Sequence, residues 1–382
     1  MTGRGDVLLT GATGFVGMEL LQRYLERTDR SIITLVRADT AAGARARIDA
    51  VLANLFGVAG RAHRGRVEAV AADMCKPDLG LSPEQREHIA QRVTTIVHSA
   101  ASVSFTLDLD EARQINLEGT RRMLELAELT QECGGLDCYG HISTAFVAGT
   151  HEGGFAERDL DLGQSFHNSY ERSKFEAEQL VQSHRDLPYT ILRPSIVVGD
   201  RHSGWTAAFN VLYWPLRAFG RGLFTALPAI PSAPCDVVSI DYVADATFAL
   251  CESGRGCGAT YHLTAGPHAS TIEEIAGLAS RYFRRPVPRV LPPAEFAELV
   301  VGSAEQSALT AGSEYFPYLS MGAVFDDAHT RARLEPDGIT AAPLRDYLDR
   351  LLDFATRSRW GKRPITRVDA AAARAYPLRA AS

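Results

Sequence analysis

The chain has 382 residues, 46% hydrophobic and 23% charged, with a formal net charge of −6, the balance of a soluble globular protein with a large core. The negative balance and the lack of a long basic run argue against nucleic acid as a partner. No apolar run reaches the ~18 residues a bilayer span needs, and the polar N-terminus lacks a signal peptide, which predicts a cytoplasmic protein.

Val7 to Leu9 is a short apolar run of the kind that forms a strand buried on both faces. Gly11, Gly14 and Gly17 follow at G-x-x-G-x-x-G spacing, and Met18 to Arg27 reads as an amphipathic helix. Strand, glycine turn and helix in that order make a phosphate cradle. The glycines permit close backbone approach, and the helix N-terminus offers free N–H groups to an anion. Ser31 to Val36 is a second strand ending at Arg37, followed by an alanine- and arginine-rich helix over Ala41 to Leu55. A third strand, Val67 to Ala71, stops at Ala72-Asp73. Ser82 and Pro83 start a helix as cap and first-turn proline. Thr94 to His98 is a fourth strand, Leu109 to Leu129 a long helix, and Asp137 to Ile142 a fifth strand. Tyr170 to His184 is helical, and Tyr189 to Leu192 is a sixth strand closing at Arg193-Pro194. This alternation predicts an α/β fold, a doubly wound parallel sheet.

Beyond Gly199 the pattern changes. Trp205 to Pro234 is aromatic and rich in proline and glycine, without clean periodicity. Val237 to Leu250 and Ala259 to Leu263 return to the α/β rhythm. Thr271 is a helix cap, Pro286 to Pro293 a proline-rich link, and the remainder is mainly helical. The expected organisation is a Rossmann domain over 1–203, completed by about 236–265. A smaller substrate subdomain takes 204–235 and 266–367, and 368–382 is an alanine-rich tail expected to fray. The six cysteines show no C-x-x-C spacing and no histidine pairs at zinc distance, so reduced thiols and no metal site are expected.

Tyr170 and Lys174 are spaced i, i+4 and share one helix face. A tyrosine of pKa about 10 is a poor proton shuttle at neutrality, and an adjacent ammonium lowers that value. An ordinary tyrosine beside a solvated lysine has the same spacing. Ser143 and Thr144 close the fifth strand, where a hydroxyl could support a developing oxyanion. Arg37 stands where an acidic residue would bind a ribose hydroxyl; arginine suits a 2′-phosphate, which favours NADP(H). Arg45 and Arg47 could assist or simply line an exposed helix face. Asp73 could meet the adenine or cap a turn.

Together these pieces resemble an extended short-chain dehydrogenase/reductase: Thr10 to Gly17, Arg37, Ala72-Asp73-Met74, His98-Ser99-Ala100-Ala101, Ser143-Thr144 and Tyr170 to Lys174. Within that group the chain is similar to the thioester-reductase and fatty-acyl reductase (male-sterility-like) branch. The pointers are Leu35 to Ala38, Leu79 to Ser82, Ile142 to Phe146, Arg193 to Gly199 and Phe325-Asp326-Asp327. Ser99 departs from the asparagine common in the broader superfamily. The resemblance is specific over Asp6 to Gly199, weaker from Asp236 to Leu263 and slight elsewhere.

The resemblance implies catalytic roles for Tyr170 as proton donor, Lys174 as holder of the nicotinamide ribose, and Thr144, ahead of Ser143, as oxyanion support. It implies a cofactor site of Gly11, Thr13, Gly14, Phe15, Val16, Gly17, Arg37, Arg47, Asp73, Met74, Ser99, Ala100, Ala101, Asn116, Lys174, Pro194, Ser195 and Ile196. The expected activity is NADPH-dependent reduction of an acyl thioester to an aldehyde, or on to the alcohol. The substrate would be an acyl-CoA or an acyl group on a separate carrier protein. Trp205 to Pro231 is a candidate acyl wall or a core segment. Alternatives are an extended reductase of ketones, steroid-like alcohols or nucleotide sugars, with Arg281, Arg284, Arg285 and Arg289 as pyrophosphate ligands, equally a solvated face or a docking patch for an acidic carrier protein, and a non-catalytic NADP(H)-binding regulator.

Overall fold

Seven strands form one parallel sheet in the order β7-β6-β5-β4-β1-β2-β3: β1 (Asp6–Thr10), β2 (Ile32–Arg37), β3 (Val67–Ala72), β4 (Val93–His98), β5 (Cys138–Ile142), β6 (Tyr189–Pro194) and β7 (Ala259–Leu263). The structure, a computed structural model, describes residues 5–209, 211–223, 225–254, 256–292, 295–296 and 313–375. Side chains alternate across the pleat, so Val7 and Leu9 enter the core on one side while Leu8 enters the core on the other. Ile32 and Val36 against Ile33 and Leu35 divide in the same way. That two-sided burial is why these strands read as unbroken apolar runs.

Among the described residues, helices of eight or more residues are α1 (Phe15–Arg27), α2 (Ala41–Phe56), α3 (Pro83–Arg92), α4 (Leu109–Cys133), α5 (Ser169–Ser183), α6 (Tyr213–Gly220), α7 (Ile240–Glu252), α8 (Ile272–Phe283), α9 (Leu348–Arg357) and α10 (Arg367–Ala375). Leu20 of α1, Ile48 of α2 and Val243 of α7 cover one side of the sheet. Ile89 of α3, Leu124 of α4 and Val181 of α5 cover the other. Each such burial contributes about 1.5–3 kcal/mol. Both expected caps form, Ser82 with Gln85 and Thr271 with Glu274, each as a reciprocal capping box. Strand order reverses beside β1, which places a crevice at its carboxyl end and that of β4.

A second core packs α6, α8 and α9 through Leu216, Phe219, Ile275, Ala279, Leu351 and Leu352. Two short parallel ribbons stitch it to the sheet half. Ile196–Val198 pairs with Val237–Ser239, and Gly153–Ala156 pairs with Ala323–Asp326. The aperiodic stretch from Trp205 is held by single anchors rather than by a repeating face. Trp205 is buried, its Nε1 donates to the Ile365 carbonyl at 3.2 Å, and its ring lies 5.7 Å from that of Phe15. The link after Pro286 contains a strand, Arg289–Leu291, paired with Ala226–Pro228; Pro293 lies outside the described residues.

The tail departs from expectation. Residues 367–375 form α10 instead of fraying, with Arg367 paired to buried Glu19 and Ala370 only 1% exposed. Alanine is the best helix former, and the helix is docked by the Arg367–Glu19 pair, by the Arg367 N–H donating to Asn54 Oδ1 at 3.0 Å and by buried Ala370. Residues 376–382 lie outside the described part. No helix among the described residues is long and apolar enough to cross a membrane.

Candidate active site

The carboxyl ends of the central strands open into one cleft of about 860 Å³. The glycine turn forms its floor. Gly11 sits at φ +73°, where a Cβ would fall 2.8 Å from the Ala100 nitrogen, and a Cβ on Gly17 would fall 2.1 Å from the Gly11 carbonyl oxygen. Gly14 is the N-cap of α1 and supplies no side-chain cap, which leaves the first N–H groups of the helix for an anion. Thr13, Phe15 and Val16 complete this wall.

Arg47 reaches from α2 to the turn. It donates to the Thr13 hydroxyl at 3.1 Å and to the Arg37 carbonyl, and both arginines face the cleft. Arg45 turns away, donating to the Val67 carbonyl at 2.6 Å and pairing with Asp49. Asp73 and Met74 line the cleft, and Asp73 also caps its turn by accepting from the Cys75 nitrogen at 2.9 Å. Two backbone nitrogens, of Ser99 and Ala100, donate to the Thr10 hydroxyl at 3.1 and 3.0 Å, which aligns the Ser99-Ala100-Ala101 stretch along the cleft. A glycine cradle without room for a Cβ, open helix N–H groups and two guanidinium groups fit a dinucleotide with an extra anion on its adenosine ribose.

One expected cofactor residue is elsewhere. Asn116 does not reach the cleft: it is buried, accepts from the Ser102 nitrogen at 2.8 Å, and donates to the Ser102 carbonyl at 3.1 Å and the Ser173 hydroxyl at 2.9 Å. Its polar atoms are spent bracing the loop after β4 against α5.

At the other end of the cleft Thr144, Tyr170, Lys174, Pro194, Ser195 and Ile196 come together from β5, α5 and β6. Burial pushes the Tyr170 phenol up to about 12, while the Thr144 hydroxyl beside it pulls the other way. The expected lowering by Lys174 is not what governs this phenol. The Lys174 Nζ donates to the Ile142 carbonyl at 2.7 Å, with the His141 Nε2 3.5 Å away, and burial brings its pKa down to about 8. At neutral pH this is a protonated phenol one helical turn from an ammonium, an arrangement able to give a proton to a developing alkoxide.

Behind them lies a buried polar layer. Ser143 donates to Glu178 at 2.6 Å, and Glu178 also holds the fully buried Arg193 at 2.6 Å. Beneath the lysine, burial drives His98 down to about 3 and His141 well below its usual value, with Lys174 adding to both shifts.

Sequence reading missed the wall facing Tyr170. Phe105 lies 5.6 Å from Tyr170, 5.8 Å from Tyr315 and 5.1 Å from Tyr318, and Phe146 meets Tyr318 edge-on at 4.9 Å. The Tyr-Phe-Pro-Tyr run at 315–318 was the available signal. Among the described residues of the stretch proposed as an acyl wall, only Ala208 and Val211 line the cleft; Leu212, Leu216, Phe219 and Leu227 belong to the second core. Arg281, Arg284, Arg285 and Arg289 do not line it either, and Arg285 donates to the Gly220 carbonyl at 3.2 Å.

This sheet, cradle and hydroxyl–tyrosine–lysine set define an extended short-chain dehydrogenase/reductase. More narrowly, the chain belongs to the male sterility protein family, whose profile matches residues 9–247. The terminal R domain from the myxalamid PKS-NRPS biosynthetic pathway is similar in structure, with a TM-score of 0.82 and 27% identity over 96% of this chain and 94% of that one. The nonribosomal peptide synthetase asaC of Aspergillus flavus is 30% identical over 272 residues, 68% of this chain and 26% of that protein. Fatty acyl-CoA reductase wat of Drosophila melanogaster is 30% identical over 278 residues, 64% of this chain and 53% of that enzyme. The chain thus spans about a quarter to a half of these two relatives.

Proposed function

We propose that this chain reduces an acyl thioester with NADPH, releasing an aldehyde and a free thiol. The observation that carries the reading is the convergence of Thr144, Tyr170 and Lys174 on one wall of a cleft whose other end is the glycine cradle flanked by Arg37 and Arg47. Similarity to synthetase R domains and to fatty acyl-CoA reductases supports a thioester as the carbonyl partner. Bound at the cradle, NADPH supplies the hydride.

Charge then develops on the carbonyl oxygen, where the Thr144 and Tyr170 hydroxyls donate hydrogen bonds. The Tyr170 proton passes to that oxygen and gives a thiohemiacetal. Breaking its C–S bond leaves the aldehyde, and the hydroxyl proton ends on sulfur. Lys174 would hold the nicotinamide ribose, its positive charge stabilises the tyrosinate, and a proton from solvent then restores the Tyr170 phenol. A second hydride and proton would take the aldehyde to the alcohol. The substrate is an acyl-CoA or an acyl group on a carrier protein.

The test is purified protein with NADPH and a panel of acyl-CoA and carrier-protein thioesters, following NADPH absorbance and thiol release together. NADPH-dependent thiol release supports the reading. NADPH oxidation with ketones alone, without thiol, sinks it.

A further inference from the structure

Each end of the cleft carries charge of both signs, Asp73 with Arg37 and Arg47 at the cradle and Glu314 with Lys174 at the reacting end. Arg37 and Arg47 flank the cradle, whereas the charged side chain contributed by the wall facing Tyr170 is Glu314. Glu314 is half-buried and forms no ion pair with any described residue. It adjoins Tyr315, whose phenol is pushed up by burial and by this carboxylate. Phe105 stacks on Tyr318 at 24° and meets Tyr315 edge-on at 67°, so one ring separates Tyr315 from the reacting Tyr170.

We infer that the acyl group reduced here carries an ammonium, seated against Glu314 within the Phe105, Tyr315 and Tyr318 rings. This inference rests on the thioester reading of the cleft. A plain alkyl chain filling this end would take water from Glu314 and return nothing to its charge, which is costly. An ammonium supplies the missing partner, and the ring faces that line the box attract a cation by their quadrupoles. The same rings still cover the methylene groups between ammonium and carbonyl.

The experiment compares pantetheine thioesters of hexanoate, 2-aminohexanoate and 6-aminohexanoate with the full chain and NADPH, reading kcat/KM from thiol release. The expected result is a preference of about tenfold or more for an amino-bearing thioester over hexanoyl, falling towards unity in Glu314→Gln and partly in Tyr315→Leu. Preference for hexanoyl over both amino derivatives would overturn the inference and leave thioester reduction standing. Retention of the wild-type preference in Glu314→Gln, including an equal loss on all three substrates, would place the carboxylate on the common thiol arm and overturn it too. Absence of NADPH-dependent thiol release with all three would fell the thioester reading itself, and the inference with it.

Discussion

The Ser143 hydroxyl donates to the Glu178 carboxylate across 2.6 Å, while its neighbour Thr144 keeps its hydroxyl beside the Tyr170 phenol. Two adjacent hydroxyls at one strand end therefore have separate duties. Thr144→Ala should lower kcat by roughly 10²–10³, the usual cost of one oxyanion donor. Ser143→Ala should instead lower the denaturation midpoint and spare most of kcat. Equal kinetic losses in both variants would contradict this division.

Arg37 and Arg47 should set the choice of coenzyme. Replacing Arg37 with aspartate removes a charge-assisted contact to the ribose phosphate, which is about 1.5–3 kcal/mol. The ratio of kcat/KM for NADPH over NADH should then fall roughly tenfold to a hundredfold. An unchanged ratio in steady-state assays would remove Arg37 from that role.

Buried Arg193 is held by Glu178 with both side chains at 0% exposure. Arg193→Met leaves the Glu178 carboxylate buried without its cation, at a cost of about 3–5 kcal/mol. Chemical denaturation of the single variant and of the Arg193→Met/Glu178→Gln pair should show the pair recovering part of the loss. A single variant as stable as the parent would refute the argument.

Acid should destabilise the fold through its histidines. Burial lowers His98 and His262 to about 3, against about 6.5 in an unfolded chain. Each group therefore binds a proton more readily unfolded than folded. The stability concerned is complete above pH 6.5 and is lost as pH falls towards 3, roughly 2 kcal/mol per histidine by pH 5. The denaturation midpoint should drop between pH 7 and pH 5, less steeply in His262→Gln. Parallel slopes in parent and variant would exclude His262 as a contributor.

Activity should fail on the alkaline side for a related reason. Lys174 is brought down to about 8 by burial, so the free enzyme loses its ammonium above that pH. The kcat/KM for NADPH, which reports the free enzyme, should fall with a midpoint near pH 8. A profile flat to pH 10 would show that this charge is not needed for binding.

The sheet was legible because two-sided burial writes apolar runs into β1, β2 and β4, and because Ser82 and Thr271 announce their helices as caps. The cradle was legible because its glycine spacing falls between an apolar strand and an amphipathic helix. Asn116 could be read either as a relay or cofactor residue or as a structural one, because a buried asparagine that braces a loop looks the same in sequence as one that meets a ligand. Tyr315 and Tyr318 were missed since they join Phe105 from more than two hundred residues away, with no period to link them. The ribbons, three or four residues per strand, are too short to leave any alternation to read.

Those ribbons bear on how such chains can be recombined. A crossover placed near residue 203, the apparent seam in the sequence, would separate 153–156 from 323–326 and 196–198 from 237–239. A graft that exchanges the acyl-facing part between relatives should therefore carry the 153–156 insert along with the later segments. Splicing at several loops, rather than one, is the design rule this architecture imposes.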